Sequence, residues 1–150
     1  MSLTATAHAV PGTLRQEVLV GRVHELVTDQ PIAVGGEGRG PSPHELFPAA
    51  LASCVAVTLT VYARTKHWEL GDVHVDVDYD HRSTPRRCRI ATTITGELTP
   101  AQIERLEKVA AACPLRRAIE AGFVFEEHLA TGTVGDEAGS GARPRTVQRS

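Results

Sequence analysis

The sequence predicts an α+β domain, with antiparallel strands packed around long helices. Three observations carry this. Residues Ser42–Lys66 open with a helix-start signature and then run apolar and rich in small residues for several turns. Val73–Tyr79 alternates strictly between apolar and polar, and the β-branched run Cys88–Leu98 behind it makes a natural hairpin partner. A second helix start, Thr99-Pro100-Ala101-Gln102, follows directly. At 150 residues a single domain is expected, with enough chain to bury a core.

At the N-terminus, Leu3–Val10 and Thr13–Val20 flank the turn Val10-Pro11-Gly12 and predict two strands. Gly21–Thr28 predicts a third, ended by the turn Asp29-Gln30-Pro31. The stretch VGGEGRGPSP comes next. It has the glycine richness of a phosphate loop but not its pattern, since GxxxxGK[ST] is missing and Arg39 replaces the lysine in a different register. A mobile loop leading into the helix is expected.

Ser42 fits the N-cap of the central helix and Pro43 its first position, and Ser42-x-x-Glu45 fits a capping box. Leu46, Phe47, Ala50, Leu51, Cys54, Val55, Thr58, Val61 and Tyr62 recur at helical spacing, while Ala49, Val57 and Leu59 fill much of the other side. The expectation is a helix buried nearly all round. Pro48 forfeits a backbone bond and crowds the His44 carbonyl, which predicts a kink after the first turn. One small sheet cannot cover so many apolar faces, so a homodimer is expected.

Trp68–Asp72 connects this helix to the hairpin, where Val73, Val75, Val77 and Tyr79 should point inward. Asp72, Asp76, Asp78 and Asp80 then form a solvated face, Ser83–Arg87 turns the chain, and Arg86, Arg87 and Arg89 are surface charge. In the second helix Ile103, Leu106, Val109 and Ala110 make the apolar stripe, which runs to about Ala112. Cys113-Pro114 interrupts it, and Leu115–Ala121 predicts a short helix closed by Gly122. Phe123–Thr133 is expected as a last strand, so the domain spans residues 1–133. From Val134 to Ser150 the composition turns to Gly, Arg, Ser and Pro without apolar periodicity, and a disordered tail is expected.

Composition excludes several classes of function. A net charge of −2 gives no electrostatic reason for a nucleic-acid or anionic-membrane partner, and 4% aromatic residues are too few for a base-stacking surface. Leu46–Ala63 raises the membrane question, but Pro48, Ser53, Thr58, Thr60 and its bare length favour a core helix. The N-terminal MSLTATAHAV lacks the basic region and long apolar run of a secretion signal. Three cysteines without CxxC spacing argue against a disulfide framework and for the cytoplasm. His24, His44, His67, His74 and His81 are scattered and give no metal-ligand spacing, so neither a metal nor an organic cofactor is expected.

Cys54 and Cys113 hold what chemistry there is. Cys54 lies mid-helix on an apolar background, which by itself suits an inert buried thiol. Cys113 precedes a helix-starting proline, so its sulfur can sit at a helix N-terminus near Arg116 and Arg117, where a thiolate is favoured. On electrostatics alone Cys113 is the more acidic thiol. Cys88 starts a strand and is read as structural.

The order of motifs adds a resemblance. GPSPHELFPAALASC, then a strand pair, then LTPAQIERLEKVAAACP, resembles the OsmC/Ohr family of osmotically induced and organic-hydroperoxide-resistance proteins, over roughly Thr13–Thr133. The resemblance implies an intertwined α+β homodimer built around two long central helices. It implies a thiol peroxidase in which Cys54 attacks an organic hydroperoxide, Cys113 resolves the product as a disulfide, and an external thiol reductant regenerates the pair. Two departures stand out. Peroxidase members carry an arginine upstream of the helix that pairs with the thiolate, and counting back from Pro43 puts Val34 in its place. Arg39 and Arg22 are the available substitutes, with Arg39 preferred because its loop leads into the helix. The partner glutamate usually follows the motif proline, where this chain has His44, and Glu45 comes one position later. At about 100° per residue, Glu45 and Cys54 face opposite sides of a straight helix. A partnership between them would therefore cross a dimer interface, and capping is the alternative role for Glu45. The catalytic set implied is Cys54, Cys113, Glu45 and Arg39. The rival is a non-enzymatic protein of the same fold that holds a small apolar ligand at the dimer interface.

Overall fold

A computed structural model describes residues 3–131, and the tail expected at Val134–Ser150 lies outside them. Strands β1 (Ala5–Ala9), β2 (Gln16–Val20) and β3 (His24–Thr28) form an antiparallel meander with Ala7 opposite Val18 and Val18 opposite Leu26. A single 3-10 turn at Ile32–Val34 leads to helix α1 (Pro43–Lys66). Strands β4 (Val73–Asp80) and β5 (Arg87–Ile94) pair as an antiparallel hairpin, followed by α2 (Pro100–Ala111) and α3 (Pro114–Ala121). The α+β class holds: two antiparallel sheets and a long central helix.

The helix starts are built as their residues dictate. The Glu45 carboxylate accepts from both the N–H and the hydroxyl of Ser42, each at 2.7 Å. At α2, Gln102 Oε1 accepts from the Thr99 N–H at 2.8 Å, and the Thr99 hydroxyl accepts from the Gln102 N–H at 3.3 Å. These bonds satisfy N–H groups that have no partner inside the first turn. α1 runs unbroken through Pro48 and ends at His67, whose left-handed backbone (φ 56°) returns its N–H to the carbonyls of Ala63 and Arg64.

The β4–β5 hairpin lies on α1, and α2 and α3 pack against the same helix. Leu51, Val55, Leu59 and Ala63, one per turn of α1, meet Leu70, Leu106 and Cys113 in the core. Val73, Val75 and Val77, read as inward from the alternation, close over it with Ile90 and Ile94 of β5, and Tyr79, the fourth of that reading, meets Phe47 of α1 with ring centroids 4.6 Å apart. Leu59 is 1% exposed, and truncating it to alanine should cost about 2–5 kcal/mol.

Three expectations need correcting. First, α1 is not buried all round in the protomer: its covered face is the Leu51–Ala63 stripe, while Val57 and Val61 stand 57% and 54% exposed on the opposite side. Leu59 belongs to the core and Val61 does not, because a helix apolar on every side leaves its phase undetermined by sequence. Second, the strand expected at Phe123–Thr133 does not form over its described residues, 123–131. Over the described part only Glu127 makes an isolated bridge, and Phe123, Val124, Phe125 and Leu129 are exposed. An apolar run becomes a strand only where a free edge offers N–H and C=O partners.

Third, the glycine-rich loop is tied down rather than mobile. Asp29, 1% exposed, accepts from the N–H groups of Gln30 (2.8 Å), Glu37 (3.1 Å) and Arg39 (3.1 Å). Its own N–H reaches the Pro41 carbonyl at 3.1 Å. A Cβ on Gly36 would overlap the Gln30 carbonyl, and one on Gly40 the Val27 carbonyl, so both glycines are required by close backbone approach.

Candidate active site

Cys54 lies midway along α1, and the turn of chain between α2 and α3 sets Cys113 against it. Pro114 ends α2 and starts α3, which makes Cys113 the N-cap of α3, its carbonyl accepting the Arg117 N–H at 3.0 Å. Cys54 packs against the core cluster that holds Cys113, and each thiol shifts the other's ionisation. Cys113 is fully buried and Cys54 half-buried, and all three cysteines of the chain are free thiols. Thr58, one turn after Cys54, donates its hydroxyl to the Cys54 carbonyl at 2.7 Å and lies within reach of both sulfurs.

The pair is electrostatically uneven. Burial pushes the Cys54 thiol above its ordinary value, and its contact with Cys113 pushes it further, outweighing the Leu115 N–H. Burial also acts upward on Cys113, but there it is overcome by the Arg116 N–H, the Cys54 thiol and the Leu115 N–H, so Cys113 sits below the ordinary thiol range. In the protomer the more acidic sulfur is therefore the enclosed one, as the helix-start position of Cys113 suggests.

The other expected site residues are not gathered here. Glu45 is exposed, and its carboxyl is held below the usual range by the Ser42 N–H and hydroxyl that it accepts from. The Arg39 guanidinium is 69% exposed and stands 3.9 Å from Glu37, which also pairs with Arg15 at 3.1 Å. Arg22 occupies the β2–β3 turn with φ 68°, and Val34 is exposed in the 3-10 turn. Within the protomer the groups that shift the Cys54 thiol, besides burial, are Cys113, Leu115 and Thr58. Cys88 faces Tyr79 across the hairpin, and burial, with the Asp78 charge, raises its thiol.

Two contributors were missed from sequence. Thr58 was assigned only to the apolar stripe, although its spacing of one helical turn from Cys54 carries the signal. The N–H groups of Leu115 and Arg116 follow from the start of α3 at Pro114. A groove of about 510 Å³ runs between β5, α1 and α2, lined by Val55, Leu59, Ile94, Leu98, Leu106 and Arg116 but by neither cysteine.

The family model described as OsmC-like protein matches residues 36–128. Among solved structures, an osmotic stress and detoxification response protein of Psychrobacter arcticus 273-4 is 26% identical, with a TM-score of 0.65 over 78% of this chain and 87% of that one. The organic hydroperoxide resistance protein OsmC of Legionella pneumophila is 25% identical, with a TM-score of 0.57 over 79% of this chain and 89% of that one. An OsmC-like protein of Mycoplasma pneumoniae, 16% identical, shares the fold with a TM-score of 0.67 over 80% and 88% of the two chains. No curated protein matches this chain.

Proposed function

The chain belongs to the OsmC-like protein family, and on that premise we propose that it is a cysteine-based thiol peroxidase, a cytoplasmic homodimer that reduces organic hydroperoxides. The observation that carries this reading is the meeting of two free thiols, one reachable and one enclosed, across α1 and α3. The Cys54 thiolate attacks the outer peroxide oxygen, the O–O bond breaks, and the alcohol leaves with a proton while Cys54 becomes a sulfenic acid. The Cys113 thiolate then attacks that sulfur, expels water after proton uptake and forms a disulfide. An external thiol reductant returns two electrons by exchange. Cys54 takes the first role because peroxide can reach it. Arg39 and Glu45, both exposed on their own protomer, are the groups offered to the second subunit's site. A guanidinium brought beside Cys54 would offset the burial that keeps it protonated.

The test is one equivalent of cumene hydroperoxide added to reduced protein, with thiols mapped by mass spectrometry. A Cys54–Cys113 disulfide with Cys88 free is expected. A Cys54–Cys88 bond would reassign the resolving role, and Cys54 untouched by excess peroxide would remove the enzyme reading.

The second reading, a non-enzymatic protein of the same fold that holds a small apolar ligand, is favoured by the apolar groove over Val55 and Leu59. Thiol labelling at graded pH separates the two. An acidic Cys54 in the assembled protein supports the enzyme, and a Cys54 that labels only in alkali supports the binder.

A further inference from the structure

The same two sulfurs offer a second chemistry that involves no peroxide. Cys54 packs against the core cluster that holds Cys113 together with Leu51, Val55 and Leu59. Both thiols are free, and among the described residues no third His, Cys, Asp or Glu joins them. The donor count decides which cation fits. Zinc takes four ligands in structural sites and three protein ligands in catalytic ones, so two sulfurs alone hold it poorly. Calcium and magnesium require oxygen donors. Soft thiolates select Cu(I), a d¹⁰ ion that is content with two donors in a line.

We propose that the reduced Cys54–Cys113 pair is a two-coordinate binding site for Cu(I). No electron moves on binding. Each sulfur that arrives as S–H releases its proton to water, and the two thiolates share one monovalent cation, leaving one net negative charge. Cys113 is the N-cap of α3, and the partial positive charge of that helix start offsets the added negative charge. Half-buried Cys54 is the point of entry, and the enclosed Cys113 side keeps water from the metal. The site stands on the placement of the two sulfurs and holds whether or not the protein turns over peroxide.

The test uses full-length Cys88→Ser protein, reduced and anaerobic, titrated with Cu(I) in competition with bicinchoninate. About one copper per chain is expected, with Cys54 shielded from iodoacetamide while the metal is bound. Adding Cys54→Ser or Cys113→Ser should abolish binding while far-UV circular dichroism reports an intact fold. Zn(II) in excess should not displace the copper. Copper held equally well after either substitution, displacement by Zn(II), or no copper bound by the parent would each overturn the site. Copper bound by a protein inert to peroxide would support it. Peroxide-driven Cys54–Cys113 disulfide formation without copper binding would overturn it and leave the peroxidase standing.

Discussion

Cys113 caps the first turn of α3 and presents its sulfur to Cys54 on α1, so the acidity and the accessibility of the pair belong to different residues. That division sets distinct expectations for the two positions. Cys54→Ser should reduce peroxide turnover to the uncatalysed background, because an alcohol is a far poorer nucleophile than a thiolate. Cys113→Ser should consume about one equivalent of peroxide and stall, with Cys54 open to dimedone or to over-oxidation. Single-turnover assays with mass readout distinguish these outcomes. Full turnover in Cys113→Ser would mean that an external thiol resolves the sulfenic acid directly.

The same substitution should change how Cys54 titrates. Burial is the largest cause raising Cys54, and Cys113 adds to it. With Cys113→Ser the second cause is removed, the Cys54 value moves down, and at a fixed neutral pH a larger fraction is thiolate. Iodoacetamide should label Cys54 several-fold faster than in the parent. Slower labelling would show that Cys113 assists rather than opposes ionisation of its neighbour.

Val57 and Val61 define an apolar stripe on α1 that the protomer leaves to solvent. In the proposed homodimer this is the surface that a second copy covers. Light scattering at low micromolar concentration should give the mass of two chains for the parent and of one chain for Val57→Asp/Val61→Asp. A folded parent of single-chain mass would dispose of the interface and of any cross-subunit role for Glu45 or Arg39.

Asp29 should make its loop sensitive to acid. The Arg39 N–H is the largest influence on its carboxyl; with the Gln30 and Glu37 N–H groups and the Arg15 charge it outweighs burial and holds the group below the usual carboxylate value. A depressed folded value means the stabilisation is complete above the unfolded pKa of about 3.9 and drains away as pH falls through the lower folded value. Asp29→Asn should therefore melt several degrees below the parent at pH 7, by a margin that is flat above about pH 5 and narrows below about pH 4. A margin that is the same at pH 3 and pH 7 would mean that the charge contributes nothing.

Much of this fold could be read along the chain wherever the determinants are local. Ser42, Pro43 and Glu45, or Thr99, Pro100 and Gln102, fix a helix start with atoms only three residues apart. The inward face of β4 follows from the period-two geometry of any strand. The failures share a cause, dependence on something distant. The phase of α1 hangs on which elements land on it, so Leu59 and Val61 could not be ranked. Phe123–Thr133 opens with the β-formers Phe-Val-Phe, but over its described part its pairing is limited to the single bridge at Glu127. Asp29 looks like any turn aspartate until residues 37 and 39 fold back over it. At the site, the acidity of Cys113 was legible because Pro114 follows it, whereas its contact with Cys54 was legible only through the resemblance.

The glycine-rich loop does bind an anion, and the anion is part of the chain. The N–H groups of Glu37 and Arg39 converge on the Asp29 carboxylate much as a concave run of backbone amides closes on a phosphoryl group. The likeness of VGGEGRG to a nucleotide loop is thus one of physical chemistry without being one of function: its cradle is permanently filled by a tethered guest. Evicting the guest should make the cradle available to outsiders. In Asp29→Gly, millimolar sulfate or phosphate should restore part of the lost melting temperature, equimolar chloride should restore less, and the parent should respond to none of them through this loop.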